Sequence, residues 1–402
     1  MRTLFTGGVV FDGTGAPPSH ADVVMEGGRI VDVGPRLDGD EAIEVAGHGL
    51  LPGLFDCHIH LLGRYEDFDE LEVMHRPFPY GFYRVPETLA WILALGITTV
   101  RDAAGADAGL KRAVADGTVI GPRMQISVNM LSMTGGHGDA WLPSTGGDGP
   151  WGVTYPGMPS GLCDGAAGVQ AKVREMVRAG ADVIKIASSG GLISDHDDPR
   201  APHFTEAEVR AIVETAADLG RPVMSHAHGA EGIKRAVRAG VRSIEHGTFL
   251  DDEGIELMLE HGTWLVPTLT SGDTTEEIAA NPKVPETIRA KFRDFGRPEL
   301  AMFERAASAG VKVAMGTDTP VAPHGTNLRE LILMAEHGFT PSQALVAATS
   351  SAADLMGLRD ELGTLEPGKR ADVVVLEGDP FDFDRLPERI RAVYKDGVRV
   401  VG

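Results

Sequence analysis

The chain has 402 residues, of which 43% are hydrophobic, 24% are charged and 51 are glycines. This composition is typical of a folded globular protein with a large core, and it argues against disorder. The formal net charge of −21 would repel nucleic-acid phosphates and anionic membranes, so we expect neither as a partner.

The compartment is indicated by the cysteines and by the first residues. Cys57 and Cys163 allow one disulfide at most, which favours a reducing environment. Residues 1–8 hold one arginine and are interrupted by glycines before an apolar run forms, so no signal peptide is expected. No apolar run approaches the roughly 20 residues that a membrane helix needs. We therefore expect a cytoplasmic protein.

Both ends of the sequence have the pattern of short strands joined by turns. Residues 22–25 and 29–33 flank a Gly-Gly turn and predict a hairpin. Near the other end, residues 371–376, 391–394 and 398–400 are again strand-like, and an Asp-Gly pair between the last two is typical of a tight hairpin turn. The two ends are β-rich, whereas the middle of the chain is not.

The middle of the chain alternates short apolar strands with amphipathic helices, which is typical of parallel βα units. Eight βα units predict a closed (β/α)8 TIM barrel, which fits a chain of this length beside one smaller module. The eight predicted strands are Leu54–His58, Ile97–Asp102, Met124–Met130, Val183–Ala187, Val223–His226, Ser243–His246, Trp264–Thr268 and Val311–Met315.

Several helices carry start and stop signals. Thr205 with Glu208 predicts a capping box, and Thr340 with Gln343 predicts another, with a proline at the first helical position. Glycines stand where a left-handed residue is wanted after a helix, at Gly180, Gly220, Gly240 and Gly310.

One connection departs from this alternation. Residues 132–168 are rich in glycine and proline, show no helical period, and hold Trp141, Trp151 and Tyr155. A loop of this length in a compact domain is usually functional, so we expect a lid over the active site. The alternative is a flexible excursion without function.

A candidate metal site begins with His58 and His60. Alternation along a strand places both imidazoles on one face, where they can bind one ion together. Taken alone, two histidines at this spacing are a weak signal, because they are more often structural or exposed to solvent.

Other strands also end in metal-competent residues. Lys185, His226, His246 and Asp318 each close an apolar strand. Active sites of α/β barrels lie at the carboxyl ends of the strands, so these side chains would meet at one mouth. Each histidine alone is more simply explained as a core or surface residue, but the whole set predicts a metal cluster.

Lys185 is the most informative member of the set. A protonated amine inside an apolar strand is costly to desolvate, and burial lowers its pKa so that the neutral amine becomes accessible. A neutral amine can react with carbon dioxide to form a carbamate, a bidentate anion able to bridge two cations. The alternative is a lysine that reaches solvent or pairs with an acid.

These residues lie in motifs that resemble the metal-dependent amidohydrolase superfamily, in particular its Xaa-Pro dipeptidase-like and imidazolonepropionase-like branch. The resemblance runs nearly end to end. Its motifs are Leu51–His60, Thr134–Gly138, Ile184–Gly191, His226–His228, Ile244–Gly247, Gly316–Asp318 and Gly363–Asp372.

The resemblance implies a domain organisation and a cofactor. It implies a barrel over residues 53–365 and a small β-sandwich built from residues 1–52 and 366–402. It also implies two divalent ions, usually zinc, bridged by carboxylated Lys185. The ligands that it implies are His58, His60 and Asp318 on one ion, and His226 and His246 on the other.

Two further histidines are expected at the substrate. His226 and His228 compete for one ligand position, and we choose His226 because it directly ends the apolar strand. His228 and His137 would then contact the substrate. The resemblance implies a tyrosine at the position of His228 in the dipeptidase-like members, so this chain departs from their pattern and the dipeptide specificity does not transfer directly.

The expected reaction is hydrolysis of an amide or peptide-like C–N bond, as in a dipeptide or N-acyl amino acid. Water activated by the metals would attack a polarised carbonyl, and Asp318 would accept the proton and return it to the leaving nitrogen. No glycine-rich phosphate loop follows a strand, so no nucleotide cofactor is expected.

Other functions remain open at this point. The substrate could instead be an aryl urea, a carbamate or an N-acylated toxin, or a cyclic amide or deaminase substrate. A function of a different class is also open, in which the chain is a non-catalytic assembly protein that keeps the fold. The expected partners are a small-molecule substrate and further copies of the chain in a homo-oligomer.

Overall fold

The structure is a computed structural model that describes residues 1–149 and 152–402, and it has a mixed α/β fold. Its strands are β1 (Thr3–Thr6), β2 (Val9–Val10), β3 (Ser19–His20), β4 (Asp22–Glu26), β5 (Arg29–Gly34), β6 (Glu41–Glu44), β7 (His48–Pro52), β8 (Leu54–Ile59), β9 (Ile97–Asp102), β10 (Arg123–Ile126), β11 (Met130–Leu131), β12 (Ile184–Ala187), β13 (Val223–Ala227), β14 (Ser243–His246), β15 (Trp264–Val266), β16 (Lys312–Val313), β17 (Val373–Glu377), β18 (Ile390–Lys395) and β19 (Val398–Val401).

The helices are concentrated between β8 and β17. They are α1 (Glu70–His75), α2 (Tyr80–Ala94), α3 (Ala108–Ala115), α4 (Gly165–Ala179), α5 (Glu206–Asp218), α6 (Ala230–Ala239), α7 (Asp252–His261), α8 (Thr275–Ala280), α9 (Glu286–Phe295), α10 (Pro298–Ala309), α11 (Arg329–Glu336), α12 (Pro341–Ala347), α13 (Ser350–Leu355) and α14 (Leu386–Arg389). Among the described residues, none of these helices combines the length and the apolar character needed to span a membrane.

The two ends of the chain form two sheets, which we call the terminal sheets, and the second of them contains strands from both ends. One has the order β5-β4-β1-β6 and the other has the order β19-β18-β17-β7-β2-β3. Strand β17 runs antiparallel to β7, with Val374 opposite Leu51. A separate core lies between the strands of both ends, where the rings of Phe5 and Tyr394 meet edge to face at 5.0 Å.

The middle of the chain forms two parallel sheets. Three strands have the order β10-β9-β8, and six have the order β11-β12-β13-β14-β15-β16. Backbone hydrogen bonds of 2.8 Å also join β8 to the residues after β16, from Cys57 N to Met315 O and from Asp318 N to His58 O. The first and last predicted strands of the alternating region therefore lie side by side.

Three of the predicted strands differ from the observed ones by two or more residues. Residues 124–130 are divided between β10 and β11, because Val128 has a left-handed backbone with φ of 68° that ends the first strand. β15 stops at Val266, two residues before Thr268, whose φ of 52° is also left-handed. The last predicted strand is reduced to β16.

The predicted helix signals are confirmed. Both capping boxes are present at the first turns of α5 and α12. Left-handed glycines end α4, α6 and α10, at Gly180, Gly240 and Gly310. Gly220 also has a positive φ of 67°, one residue beyond the cap of α5.

The long connection is a folded loop up to the start of α4 at Gly165, so its last residues are helical rather than irregular. Bridges between Ser132 and Leu162 and between Tyr155 and Met158 hold it together. The Tyr155 ring packs against α2, at 5.7 Å from the ring of Phe82. Trp151, which the sequence placed in this loop, lies outside the described residues.

Candidate metal centre

The metal-competent side chains stand at the carboxyl ends of the parallel strands. The register pairs Ala187 with His226 and Ala227 with His246, so β12, β13 and β14 end at a common edge. Because parallel strands point the same way, the structure brings these ends together. The residues involved are His58 on β8, His60 just after it, Lys185 on β12, His226 on β13, His246 on β14 and Asp318 after β16.

His58, His60 and Asp318 form the first cluster, and their ligand atoms lie within 4.8 Å of one another. The Oδ1 atom of Asp318 lies 3.3 Å from Nε2 of His58 and 3.2 Å from Nε2 of His60. Burial opposes ionisation of Asp318, but the adjacent imidazoles hold the pKa of this carboxyl well below its usual range. The first cluster therefore offers two nitrogens and one anionic oxygen.

His226, His228 and His246 form the second cluster, and all three are buried. Their ring centroids lie 4.6 to 4.9 Å apart. Burial, together with the charge of neighbouring groups, lowers the pKa of His226 and of His246 well below the usual value and lowers that of His228 to about 3. Neutral imidazoles are the form that binds a metal ion.

Lys185 contacts the first cluster, and its charge acts on His226 and His246 of the second. Its side chain is buried and its Nζ is 3.3 Å from Nε2 of His58. The ring of His58 in turn lies 5.0 Å from that of His246, so the two clusters are neighbours. Burial lowers the pKa of the Lys185 amine to about 8, which makes its neutral form accessible near neutral pH.

Hydrogen bonds fix which ring nitrogen is available in three histidines. The Nδ1 atoms of His58 and His60 donate to Glu245 at 2.8 Å and to the carbonyl of Ala104 at 2.9 Å, which leaves both Nε2 atoms free. In His226 it is Nε2 that donates, to the carbonyl of Gly190 at 3.1 Å, so Nδ1 is free. Such outer hydrogen bonds are typical of metal-binding histidines.

Glu245 and Arg101 support the first cluster, and the sequence analysis missed both. The Glu245 carboxylate accepts from His58 Nδ1 and, at 3.0 Å, from Arg101 Nη2. Burial would raise its pKa, but the Arg101 cation and His58 lower it to about 2. The available signal was a charged residue inside each of the apolar strands β9 and β14, since a buried charge requires a partner.

Asp318 is held by a buried polar network. It has a left-handed backbone with φ of 58°, which a non-glycine residue adopts only when neighbouring contacts hold it there. The preceding residue, Thr317, is fixed by Asp56, which accepts a hydrogen bond from Thr317 Oγ1 at 2.7 Å. Asp56 also accepts from Asn327 Nδ2 at 2.9 Å. This network sets the direction in which the Asp318 side chain points.

His137 reaches the second cluster from the long loop. Its ring stacks on that of His226, with centroids 4.3 Å apart. Its Nδ1 is 2.9 Å from Ser194 Oγ, and this hydroxyl donates its hydrogen to Asp197. The hydroxyl must therefore accept from His137, which leaves Nε2 of His137 as an acceptor.

The residues present fit a divalent-metal site. Neutral imidazoles, a carboxylate and a lysine amine are ligands, or precursors of ligands, for zinc and similar ions. Their free atoms converge, and their other atoms are held by hydrogen bonds, as in sites that are organised before the ion arrives. His228 lies within the second cluster together with His226, so geometry brings both candidate histidines to the same place.

Comparisons with known proteins agree with this chemistry. A model of the amidohydrolase family matches residues 50–400. Ochratoxinase of Aspergillus niger is 34% identical over 416 residues, which cover 98% of this chain and 86% of the relative. An imidazolonepropionase of Rhizorhabdus wittichii is 28% identical over 413 residues, which cover 95% of this chain and 91% of the relative.

A solved structure matches along the whole length. The crystal structure of a Xaa-Pro dipeptidase with bound methionine in the active site superposes with a TM-score of 0.90 and 34% identity, covering 100% of both chains. The chain belongs to the amidohydrolase family, which confirms the resemblance seen in its motifs. It is a metal-binding hydrolase of carbon–nitrogen bonds.

Proposed function

We propose that the protein is a binuclear metal-dependent hydrolase that cleaves an amide or peptide-like C–N bond, such as that of a dipeptide or an N-acyl amino acid. The observation that carries this proposal is the presence of two neighbouring clusters of ligand atoms, with the amine of buried Lys185 at 3.3 Å from His58. A site with two neighbouring clusters and a buried amine beside them suits two cations better than one.

The ligands divide by cluster. His58, His60 and Asp318 would hold one ion, and His226 and His246 the other. His226 is favoured over His228 because its Nε2 donates to a backbone carbonyl, which leaves a defined nitrogen lone pair. The Nδ1 atoms of His228 and His246 contact the hydroxyls of Thr248 and Thr268, which can donate or accept, so these hydrogen bonds alone do not fix the free nitrogen of either ring.

Lys185 would serve as its carbamate. The neutral amine would bond to carbon dioxide and release one proton, which gives an anion with two oxygens. The burial of the amine supports this, because a buried ammonium would otherwise lie beside ligands that are meant for cations. Zinc is the ion that we propose for a set of ligands dominated by histidine.

Two divalent ions bound here would lower the pKa of a water molecule and polarise the substrate carbonyl. Asp318 would take the proton from that water and deliver it to the leaving nitrogen, since its carboxylate is ionised and is held in place by its neighbours. His137 would accept a hydrogen bond from the substrate through Nε2, and His228 would line the same side of the site.

The wider architecture is also a proposal. The contacts between β8 and residues 315–319 support closure of the two parallel sheets into a (β/α)8 barrel over residues 53–365. The terminal sheets and their shared core support a composite β-sandwich of residues 1–52 and 366–402. Residues 132–168 would form the lid. We propose a cytoplasmic homo-oligomer whose partner is a small-molecule substrate.

The test is metal content measured together with hydrolysis. Elemental analysis of purified enzyme should give about two divalent ions per chain, and chelation should abolish activity. A panel of N-acyl amino acids, dipeptides, aryl ureas and carbamates should show release of amine from the first two classes. Faster cleavage of ureas or carbamates would show that these, rather than amides, are the substrates. A fully active enzyme without metal would refute the proposal.

Three variants test the assignment of ligands. Lys185→Ala should be inactive and should regain some activity with added short carboxylates, which replace the carbamate. His226→Ala should lose one ion, whereas His228→Ala should keep both and mainly raise KM. Loss of an ion in His228→Ala alone would reverse the choice between these two histidines.

A further inference from the structure

Asp102 is the last residue of β9, and its buried carboxylate has no task in the proposed reaction. The side chain is fully buried. The register of the parallel strands places Asp102 beside Ile59, the residue between His58 and His60. Ala103 N donates to Ile59 O at 2.8 Å, so the end of β9 adjoins the strand that carries two of the proposed ligands.

Both oxygens of this carboxylate accept hydrogen bonds, and each serves a segment that holds His60. Oδ2 accepts from the backbone N of Leu61, the residue after the histidine, at 2.9 Å. Oδ1 accepts from the backbone N of Ala106 at 3.0 Å, which closes residues 102–106 into a turn that we call the β9 turn. One side chain thus ties the backbone beside the histidine to the β9 turn.

The β9 turn carries the carbonyl that orients the His60 ring. Nδ1 of His60 donates to Ala104 O at 2.9 Å, and this bond leaves Nε2 free for an ion. Ala104 O and Gly105 N belong to one peptide unit, and Gly105 N donates to Val128 O at 3.0 Å. Gly105 has a φ of 118°, which glycine adopts without strain. The direction of the carbonyl is therefore set by the conformation of the turn.

His60 depends on such support more than His58 does. The side chain of His60 is 31% exposed, whereas that of His58 is 1% exposed, so packing holds His60 less firmly. Nδ1 of His58 donates to the charged carboxylate of Glu245, but Nδ1 of His60 donates to a neutral carbonyl. Because a bond to a neutral acceptor is weaker, the orientation of His60 relies on whatever holds that carbonyl in place.

The charge of Asp102 is consistent with a role beside the first cluster. The preceding residue, Arg101, pairs with Glu245, and among the residues that the structure describes no lysine or arginine forms an ion pair with Asp102. Burial raises the pKa of the Asp102 carboxyl, and the neighbouring His60 opposes this rise. A buried carboxylate is costly without a cationic partner. A divalent ion held by His60 would supply that partner.

We propose that Asp102 is a positioning residue for the metal centre: its carboxylate sets the β9 turn so that Ala104 O holds the proton on Nδ1 of His60, and Nε2 is directed to the ion of the first cluster. This inference rests on the proposed division of the ligands and adds to it a residue outside the ligand set. Both carboxylate oxygens are engaged by backbone N–H groups, so Asp102 acts through His60 rather than as a ligand.

The experiment measures each ion by itself. His226→Ala should retain the ion of the first cluster, and His60→Ala should retain that of the second. Asp102→Asn is introduced into both backgrounds, because asparagine keeps the shape but turns an amide donor toward one of the two backbone donors. Zinc affinity of the full-length protein is measured by competition with a chelating dye, and the cobalt(II) absorption spectrum reports the geometry of the bound ion.

We expect Asp102→Asn to weaken zinc binding about 10- to 100-fold in the His226→Ala background and to alter the cobalt(II) spectrum there. In the His60→Ala background it should change zinc affinity by less than about twofold, because distant and independent sites have additive effects. A role in general stability alone would affect the two backgrounds equally.

Two further variants separate positioning from folding. Asp22→Asn is the control, since Asp22 on β4 is a buried aspartate that accepts from Leu37 N at 3.0 Å and from Thr6 Oγ1 at 2.8 Å. It should leave both zinc affinities unchanged. Gly105→Ala keeps Asp102 and strains the β9 turn at its positive φ. It should weaken the ion of the first cluster, and it takes the place of Asp102→Asn if that variant does not fold.

Equal losses in both backgrounds, or no loss in the His226→Ala background, would overturn the proposal. A His226→Ala protein that keeps no ion would refute the division of the ligands and this inference with it. The proposed hydrolysis fails separately. If the wild type binds two ions and one of them depends on Asp102, but none of the substrate panel is cleaved, the positioning role stands and the proposed reaction does not.

Discussion

At the scale of single residues, Glu245 organises the candidate metal centre through its contact with His58. Its carboxylate accepts from His58 Nδ1 at 2.8 Å, which holds the proton on that nitrogen and leaves Nε2 free. Arg101 compensates its buried charge. The orientation of His58 therefore depends on a residue that the protein keeps ionised.

We predict that Glu245→Gln lowers metal affinity about 10- to 100-fold, the usual effect of removing such an outer carboxylate. Competition with a chelating dye would measure it. The matched control is Glu304→Gln, because Glu304 makes the same 2.8 Å contact with Nδ1 of His337 on the surface. Equal affinity in both variants would show that the Glu245 contact does not organise the site.

Glu330 gives the protein a pH-dependent contribution to stability. Burial raises its pKa to about 8 from 4.5, although Leu269 and Thr270 donate hydrogen bonds to its carboxylate. Below pH 4.5 both the native and the unfolded chain hold the proton, and this contribution is fully present. Between the two pKa values only the native state keeps Glu330 protonated, so the free energy of unfolding falls as the pH rises.

We therefore predict that the wild type loses stability relative to Glu330→Gln as the pH rises, with a limiting slope of about 1.4 kcal/mol per pH unit. The glutamine cannot ionise and lacks this contribution. Thermal midpoints of both proteins across a series of buffers would measure the difference. Parallel profiles would contradict the raised pKa.

At the scale of elements, the loop after β12 controls His137 through close packing. A Cβ atom on Gly191 would lie 2.1 Å from Cε1 of the His137 ring. The loop is anchored at its other side by Lys291 and Asp197, so it cannot yield easily. The bulk of one methyl group would instead displace the histidine.

We predict that Gly191→Ala raises KM and keeps the metal content, because His137 loses its position while the ligand atoms of both clusters are untouched. Gly168→Ala is the control. Gly168 lies within α4 with nothing within 4 Å of the added atom, so this change should raise stability by about 0.5–1 kcal/mol and leave KM unchanged. Steady-state kinetics beside thermal unfolding would distinguish the two. An unchanged KM in Gly191→Ala would mean that the loop relaxes.

The elements show what sequence reasoning could and could not reach. The strands could be predicted from short apolar runs. The polar residues at their ends could be predicted as site residues, because few polar residues stand at the end of a buried strand. The break in the strand at Val128 could not be predicted, since a valine adopts a left-handed backbone because of surrounding contacts rather than local preference. The pairing of Arg101 with Glu245 joins β9 to β14, which are distant in the chain, and no local pattern encodes it.

The same reasoning applies to the candidate site. The sequence could propose His226 and His228 as alternatives, but the atom that each ring offers depends on its hydrogen-bond partner. That partner is Gly190 O for His226 and Thr248 Oγ1 for His228, and both lie on other segments of the chain.

At the scale of the whole molecule, Arg123 links the parallel sheets to the terminal sheets. From β10 it donates to Asp372 at 3.0 Å and to Asp396 at 2.9 Å. Asp372 is buried and would keep an uncompensated charge if the arginine were removed. The two parts of the fold are therefore tied by a polar contact as well as by apolar packing.

We predict that Arg123→Met lowers the free energy of unfolding by about 1–3 kcal/mol and leaves metal content and KM unchanged. The control is Arg112→Met, since Arg112 on α3 is 80% exposed and pairs with Asp116, the residue that follows the helix. That exposed pair should contribute about 0.5 kcal/mol or less. Equal effects of both variants, measured by chemical denaturation, would mean that the link between the sheets adds no stability.

The pairing of β7 with β17 has a consequence for the order of events during synthesis. Leu51 meets Val374 across nearly the whole length of the chain, so the early strand leaves the ribosome long before its partner exists. Contacts between such distant segments are slow to form, because closing a long loop costs entropy before the contact repays it. The nascent N-terminal strands therefore lack their C-terminal partners during synthesis, and apolar residues such as Phe5 and Val23 are still exposed. We expect maturation to be limited by the arrival of the last strands, which makes the interval before chain release the time when the protein most needs chaperones.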